Sequence, residues 1–147
     1  MRVAINGAGI AGLTLAYWLR ECGHEVLLID EALQLRNGGY TIDFWGVGYD
    51  IAEKMGLLPR IGELGYQVRE VRYVNRHGRK SGGFSADVFG RMTNGRFIEL
   101  RRSDLAAAIY GALDGKVETL FGDSVARIKD EGHCVRVDFD HAAPREV

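Results

Sequence analysis

The chain opens with an apolar run that breaks directly into three spaced glycines, and this feature restricts the fold more than any other. Residues 3–6 read Val-Ala-Ile-Asn. Gly7, Gly9 and Gly12 follow in the pattern Gly-x-Gly-x-x-Gly. Apolar residues at helical spacing come next, and a second apolar run ends at Asp30. This order predicts a strand, a helix and a second, parallel strand, which together form a β-α-β unit suited to a dinucleotide.

The context of the three glycines gives each of them a role. The chain has 20 glycines in 147 residues, so the bare pattern is weak evidence. Gly7 permits a tight turn, Gly9 lets the backbone approach a pyrophosphate, and Gly12 lets the helix pack close to the strand. The first helical residues, Ile10 and Ala11, offer free N–H groups and a partial positive charge to phosphates. The alternative is a glycine-rich turn that holds no ligand.

Asp30 supplies a carboxylate at the end of the second predicted strand. It lies 18 residues past Gly12. This is close to the ~20 residues at which a carboxylate accepts a hydrogen bond from a ribose hydroxyl. The alternative is that Asp30 merely ends a strand in solvent.

The remaining sequence predicts an α/β chain with a long excursion between its parallel strands. Residues 31–43 are predicted to be irregular. Further elements are predicted as follows: a strand at 2–6, helices at 10–22, 46–55 and from the Ser103 and Asp104 cap to about 113, a hairpin of 68–75 and 79–85, and strands at 25–29, 97–100, 117–121, 125–129 and 134–139. The fold class is therefore a Rossmann-like β-α-β fold with an inserted β-hairpin excursion.

Composition and charge argue against several classes of protein. The net charge is −1, which gives no indication of a nucleic-acid or anionic membrane partner. No apolar stretch reaches the length of a membrane span. The two cysteines lack metal-ligand spacing and the four histidines are scattered, so we expect no metal site and a cytoplasmic location. No nucleophile–base arrangement is evident, so no catalytic residue is assigned.

Four segments carry a resemblance to a known family. They are residues 7–16 with the acidic end of the second strand, residues 35–43, residues 50–58, and residues 98–105 with their Arg-x-x-Leu pattern. In this order they resemble the single-component FAD-dependent aromatic monooxygenases, the p-hydroxybenzoate hydroxylase-like group. The likeness is closest to the branch that contains tetracycline-modifying enzymes.

The resemblance implies FAD as cofactor and NAD(P)H as electron donor, and it assigns roles to matching residues. The glycine turn would bind the pyrophosphate and Asp30 the adenosine ribose. Glu31 stands near the adenine, where the family usually has Arg. Arg36 would contact the flavin side, Arg102 the phosphate and ribityl region, and Asp43 the neighbourhood of the isoalloxazine. As alternatives, the two arginines are surface cations and Asp43 is a turn residue.

The resemblance also implies a larger enzyme. Residues 1–147 would be one FAD-binding domain, the N-terminal portion of a monooxygenase, with the fold incomplete at its C-terminus and the substrate domain and C-terminal helices outside it. Such an enzyme hydroxylates a small aromatic substrate with NAD(P)H and O₂, and FAD carries the redox chemistry. We expect the isolated chain to be inactive or uncoupled. We also expect its incomplete sheet to favour self-association or a complementary chain.

Two other functions stay open at this point. One is a small NAD-binding oxidoreductase domain, in which Asp30 would favour NAD over NADP. The other is a non-enzymatic fragment without a ligand. Flavin absorbance of the purified protein separates the first alternative from the FAD hypothesis.

Overall fold

The computed structural model describes residues 1–66 and 68–147. The strands are β1 (Arg2–Asn6), β2 (Glu25–Asp30), β3 (Thr41–Trp45), β4 (Glu70–Val74), β5 (Lys80–Ser85), β6 (Phe97–Arg101), β7 (Glu118–Phe121), β8 (Val125–Asp130), β9 (Val135–Phe139) and β10 (Arg145–Glu146). The helices are α1 (Ile10–Glu21), α2 (Val47–Lys54), α3 (Leu58–Leu64), α4 (Asp87–Met92) and α5 (Arg102–Ala112).

The chain divides into two compact units. Unit 1 comprises Met1–Gly38 and Leu105–Val147, and unit 2 comprises Gly39–Asp104. Helix α5 starts in unit 2 and continues into unit 1. None of the helices in the described ranges is long and apolar enough to cross a membrane.

Unit 1 is built on a parallel sheet with the strand order β1-β2-β7. The central strand β2 is buried from Val26 to Asp30, as expected for a parallel strand covered on both faces. Helix α1 contacts β1 and β2 and buries Leu13 and Ala16 completely. The predicted strand–helix–strand start is therefore confirmed, with boundaries that differ by at most one residue.

An antiparallel sheet with the order β10-β9-β8 also belongs to unit 1. Its Val137 and Phe139 form one buried cluster with Leu27 and Ile29 of β2. The alternation of buried and more exposed residues along β9 explains this packing, because every second side chain points to the same face.

Asp123 fixes the chain between β7 and β8. Its buried carboxylate accepts hydrogen bonds from the backbone N–H groups of Ser124 (2.8 Å), His141 (3.1 Å) and Ala142 (2.7 Å). Burial by itself raises the pKa of Asp123, but these three donors outweigh it and the pKa is lower than usual.

Unit 2 contains two antiparallel strand pairs. Strands β3 and β6 pair with each other, α2 contacts β3, and α3 contacts β6. The other pair is the predicted hairpin, β4 with β5, which has an irregularity between Tyr73 and Val74. Arg96 precedes β6 and lies 2.7 Å from carboxylate oxygens of both Asp50 and Glu53 on α2.

Several elements of the excursion differ from the prediction. Strand β3 lies partly in the segment expected to be irregular, and helices α3 and α4 were missed. Pro59 lies just beyond the predicted helix at 46–55, where a proline is typical after a helix end, but the structure places it in the first turn of α3, where its missing N–H costs nothing. Helix α5 begins at Arg102, so Ser103 and Asp104 lie inside its first turn and do not precede it as caps.

Candidate functional site

The turn between β1 and α1 has the conformation that the glycine pattern predicted. Gly7 has a φ of +119°, which favours glycine, and its N–H donates to the carbonyl of Ile29 at 2.6 Å. Gly9 is the N-cap of α1 with a φ of −80°. A Cβ added at Gly9 would meet no atom within 4 Å, so the backbone there faces open space.

Gly12 is required by packing in this turn. A Cβ built at Gly12 would lie 1.9 Å from the carbonyl oxygen of Gly7 and 3.3 Å from Cγ2 of Ile5. Only the absence of a side chain lets the first turn of α1 approach β1 this closely, and this agrees with the role expected from the sequence.

The N-terminus of α1 is free of side-chain caps. The first helical hydrogen bond runs from the N–H of Leu13 to the carbonyl of Gly9, at 2.9 Å. The N–H groups before Leu13, including those of Ile10 and Ala11, have no partner inside the helix. No side chain caps Gly9, and the first turn contains no acidic residue. This end of α1 therefore offers N–H donors and the positive end of the helix dipole.

Asp30 lies directly beside the turn and is bonded to it. Its Oδ2 accepts the backbone N–H of Ala8 at 2.7 Å, and its Oδ1 accepts that of Ala32 at 2.9 Å. The residue is only 9% exposed, so the alternative of a strand end in solvent is wrong. An ionised carboxylate has about four acceptor positions, so acceptor capacity remains for a ligand hydroxyl.

Glu31 and Arg36 form an exposed ion pair next to Asp30. The guanidinium of Arg36 donates to Oε1 of Glu31 at 3.0 Å and lies 3.9 Å from Oδ1 of Asp30. The side chains of Arg36 and Glu31 are 71% and 76% exposed, so the pair adds little stability. Both side chains remain available to a ligand.

The two remaining predicted residues, Asp43 and Arg102, belong to unit 2. Asp43 is exposed on β3 opposite Glu99 of β6. Burial, and then the charge of Asp43, raise the pKa of Glu99. Arg102 is exposed, and its backbone N–H donates to the carbonyl of Tyr40 at 3.1 Å. The expected contacts of both side chains with a flavin stay predictions.

Proteins of similar sequence include a nucleotide-binding domain family and a monooxygenase. A family profile described as "NAD(P)-binding Rossmann-like domain" matches residues 5–52. The chain is 39% identical to the uncharacterized protein Rv1260 of Mycobacterium tuberculosis, over 98% of this chain and 39% of that protein. It is 29% identical to the FAD-dependent monooxygenase asL4 of Sarocladium schorii, over 96% of this chain and 34% of that protein.

A solved structure is similar to this chain over almost its whole length. The tetracycline destructase Tet(51) superposes with a TM-score of 0.82 and 31% sequence identity, over 99% of this chain and 36% of that one. The chain belongs to the FAD-dependent monooxygenase family. The chain spans between one third and two fifths of the length of these three relatives. The crystal structure of HpxO complexed with FAD and uric acid, at 23% identity and a TM-score of 0.76, shares the fold.

Sequence reasoning missed the N–H groups of Ala8 and Ala32 as hydrogen-bond partners of Asp30. The predicted β-α-β pattern carried a signal for the contact between Asp30 and Ala8, because it implies parallel pairing of the two strands. Residues 2–6 and 25–29 pair in parallel register, with Asn6 opposite Ile29. The residue after Ile29 must therefore lie beside the turn that follows Asn6. A carboxylate at that position reaches the turn's N–H groups without any rearrangement.

One group of side chains with metal-ligand chemistry lies elsewhere in unit 1. Oxygen and sulfur atoms of Glu131, Cys134 and Glu146 lie within 4.8 Å of one another. Burial, followed by the nearby carboxylates, raises the pKa of the Cys134 thiol, so its metal-binding thiolate form is disfavoured. We assign no metal site to this group.

Proposed function

We propose that the chain is the FAD-binding part of a flavoprotein monooxygenase that hydroxylates a small aromatic substrate with NAD(P)H and O₂. The observation that carries this proposal is the bond between the buried Asp30 carboxylate and the N–H of Ala8. The bond holds a buried carboxylate beside a glycine turn at a helix N-terminus. This supports the proposal, because a dinucleotide site needs a carboxylate for the ribose next to such a turn for the phosphates.

The donor groups of the turn fit the pyrophosphate of FAD. Gly9 leaves an open approach to the backbone, and the N-terminus of α1 supplies N–H groups without competing side-chain caps. A phosphate at such a helix end is favoured both by hydrogen bonds and by the helix dipole. A side chain at Gly9 would project into this space.

The acceptor groups of Asp30 fit the adenosine ribose. Two backbone N–H groups hold the carboxylate in place, so it is already oriented before a ligand binds. The ribose hydroxyls can donate to the acceptor positions that these bonds leave free. Glu31 and Arg36 lie at the exposed rim beside it, where Arg36 is available to the flavin side of the cofactor.

When bound, FAD supplies the redox chemistry between NAD(P)H, O₂ and the substrate. The residues of this chain bind and orient the cofactor. Asp43 and Arg102 are assigned to the same cofactor because of the sequence resemblance. We also propose a cytoplasmic location. We expect the isolated 147 residues to bind FAD weakly and to lack coupled hydroxylation, because the matched relatives are much longer.

Titration of the chain with FAD tests the proposal, with Gly9→Ala as the ligand-facing change. Alanine fits the φ of −80° at Gly9 and meets no atom within 4 Å, so the variant should remain folded. Its methyl group would hinder the pyrophosphate and weaken FAD binding about tenfold or more. Gly111→Ala is the matched control, because that helical glycine of unit 1 is also unhindered.

Flavin fluorescence and thermal shift give the two readouts. FAD at 100 times its Kd should add about 2.7 kcal/mol to stability. Equal FAD affinity of Gly9→Ala and the unchanged chain would refute the site. Saturation by NAD⁺ with no effect of FAD would favour the NAD-binding alternative, and no response to either nucleotide would favour the ligand-free fragment.

A further inference from the structure

The β4–β5 hairpin carries a concentration of positive charge that the nucleotide site does not use. Residues 68–85 contain five cationic side chains and one carboxylate, an excess of four positive charges, although the whole chain has a net charge of −1. The cations are Arg69, Arg72, Arg76, Arg79 and Lys80. Such local excess charge attracts anionic ligands.

The single carboxylate of the hairpin is already occupied. Glu70 accepts from Nε of Arg72 at 2.6 Å and also binds the Lys80 ammonium. Hydrogen bonds from Lys80 and Arg72 lower the pKa of Glu70, so its charge is retained. In the part of the chain that the structure describes, no carboxylate lies within 4.0 Å of Arg76 or Arg79.

The tip of the hairpin holds these two arginines on a well-defined turn. Oδ1 of Asn75 accepts the backbone N–H groups of His77 (2.9 Å) and Arg79 (3.1 Å). Gly78 completes the turn with a φ of +73°. The Nε of Arg76 donates to Nε2 of His77 at 3.0 Å, which orients its guanidinium. An ordered turn lowers the entropy lost when an anion is bound.

One face of the β4–β5 hairpin packs against aromatic side chains. Tyr73 and Phe84 lie 6.4 Å apart between ring centroids, and Phe84 lies 5.8 Å from Phe89 of α4. Phe89 in turn stacks on Phe97 of β6 at 5.3 Å. Side chains alternate between the faces of a strand, so this packing leaves Glu70 and Arg72 on the other face.

We propose that the tip of the β4–β5 hairpin binds the phosphate groups of NADPH. This inference rests on the proposed function, which requires a reduced nicotinamide nucleotide in addition to FAD. NADPH carries a pyrophosphate and a 2′-phosphate, and guanidinium groups bind such phosphates through paired charge-assisted hydrogen bonds. The excess of four positive charges lies within one short hairpin of a chain with a pI of about 6.4, which suits a small anion better than the long surface of a nucleic acid.

The test compares NADPH binding by two double variants of the full chain. Arg76→Gln with Arg79→Gln removes the two tip cations and leaves the backbone bonds of the turn intact. Lys54→Gln with Arg60→Gln removes two exposed cations from α2 and α3 of the same unit as a charge-matched control. Nicotinamide fluorescence measures NADPH, and FAD affinity is measured separately for every protein.

We expect the tip variant to weaken NADPH binding about tenfold or more, and the control variant to change it less than about twofold. Inorganic pyrophosphate should compete with NADPH, and NADH should bind more weakly because it lacks the 2′-phosphate. FAD affinity should be the same in all three proteins.

Other outcomes overturn the inference. Equal NADPH affinity of the tip variant and the unchanged chain would do so, as would FAD binding with no NADPH binding. Tighter binding of a single-stranded oligonucleotide than of NADPH would identify a nucleic-acid surface instead. Failure of FAD itself to bind would refute the proposed function and with it the premise of this inference.

Discussion

Replacement of Gly12 by alanine should separate the packing role of this glycine from the proposed ligand role of Gly9. The added Cβ would lie 1.9 Å from the carbonyl oxygen of Gly7, about 1 Å closer than real contacts allow. The obstacle is backbone, so no side-chain rotation relieves it and α1 must move away from β1. Leu13 and Ala16, the fully buried residues of α1, would lose packing as a result.

The expected cost follows from this geometry. Overpacking in a core costs about 1–3 kcal/mol, and a backbone obstacle places Gly12→Ala at the upper end, about 3 kcal/mol. With a urea dependence of about 2 kcal/mol per M, the unfolding midpoint should fall by about 1.5 M. Gly9→Ala makes the same chemical change at an open position and should cost at most about 1 kcal/mol, through a poorer N-cap.

Tryptophan fluorescence can follow unit 1 specifically. The chain has two tryptophans, and a Trp45→Phe background leaves Trp18 on α1 as the reporter. Trp45 is 58% exposed in unit 2, so its replacement should disturb little. A Gly12→Ala midpoint equal to that of Gly9→Ala would show that α1 does not pack closely against the backbone of Gly7.

Two further predictions concern the buried carboxylates of unit 1. Asp30→Asn should destabilise ligand-free unit 1 by about 1–3 kcal/mol in urea unfolding, because an amide NH₂ would face the N–H of Ala8 or Ala32 and leave it unpaired; an unchanged midpoint would contradict these bonds. The lowered pKa of Asp123 should add stability above its ordinary pKa of 3.8 and lose it as the pH falls toward the folded-state value. Urea midpoints between pH 5 and pH 2.5 should therefore fall less steeply in Asp123→Asn, and identical pH profiles would exclude this contribution.

The opening strand–helix–strand unit was predictable because its signals are local and agree with one another. The apolar runs, the glycine pattern and the helical spacing each indicate the same strand–helix–strand order, and the boundaries of β1, α1 and β2 followed closely. The excursion was harder to predict. Strand β3 follows a glycine-rich segment, and its side chains alternate only between exposed and partly buried, so it lacks the apolar run of a buried strand. Pro59 is compatible both with the end of one helix and with the start of another, and position alone did not decide between them.

The sequence by itself determined the glycine turn, the carboxylate after the second strand and the family of the chain. Only the tertiary structure decided what these groups contact. Parallel pairing of β1 with β2 brings Asp30 to the N–H of Ala8, 22 residues earlier in the chain. The same packing presses Gly12 against Gly7. Such contacts depend on strand register and on helix–strand distance, which are set by the burial of many side chains together and are not encoded at any single position.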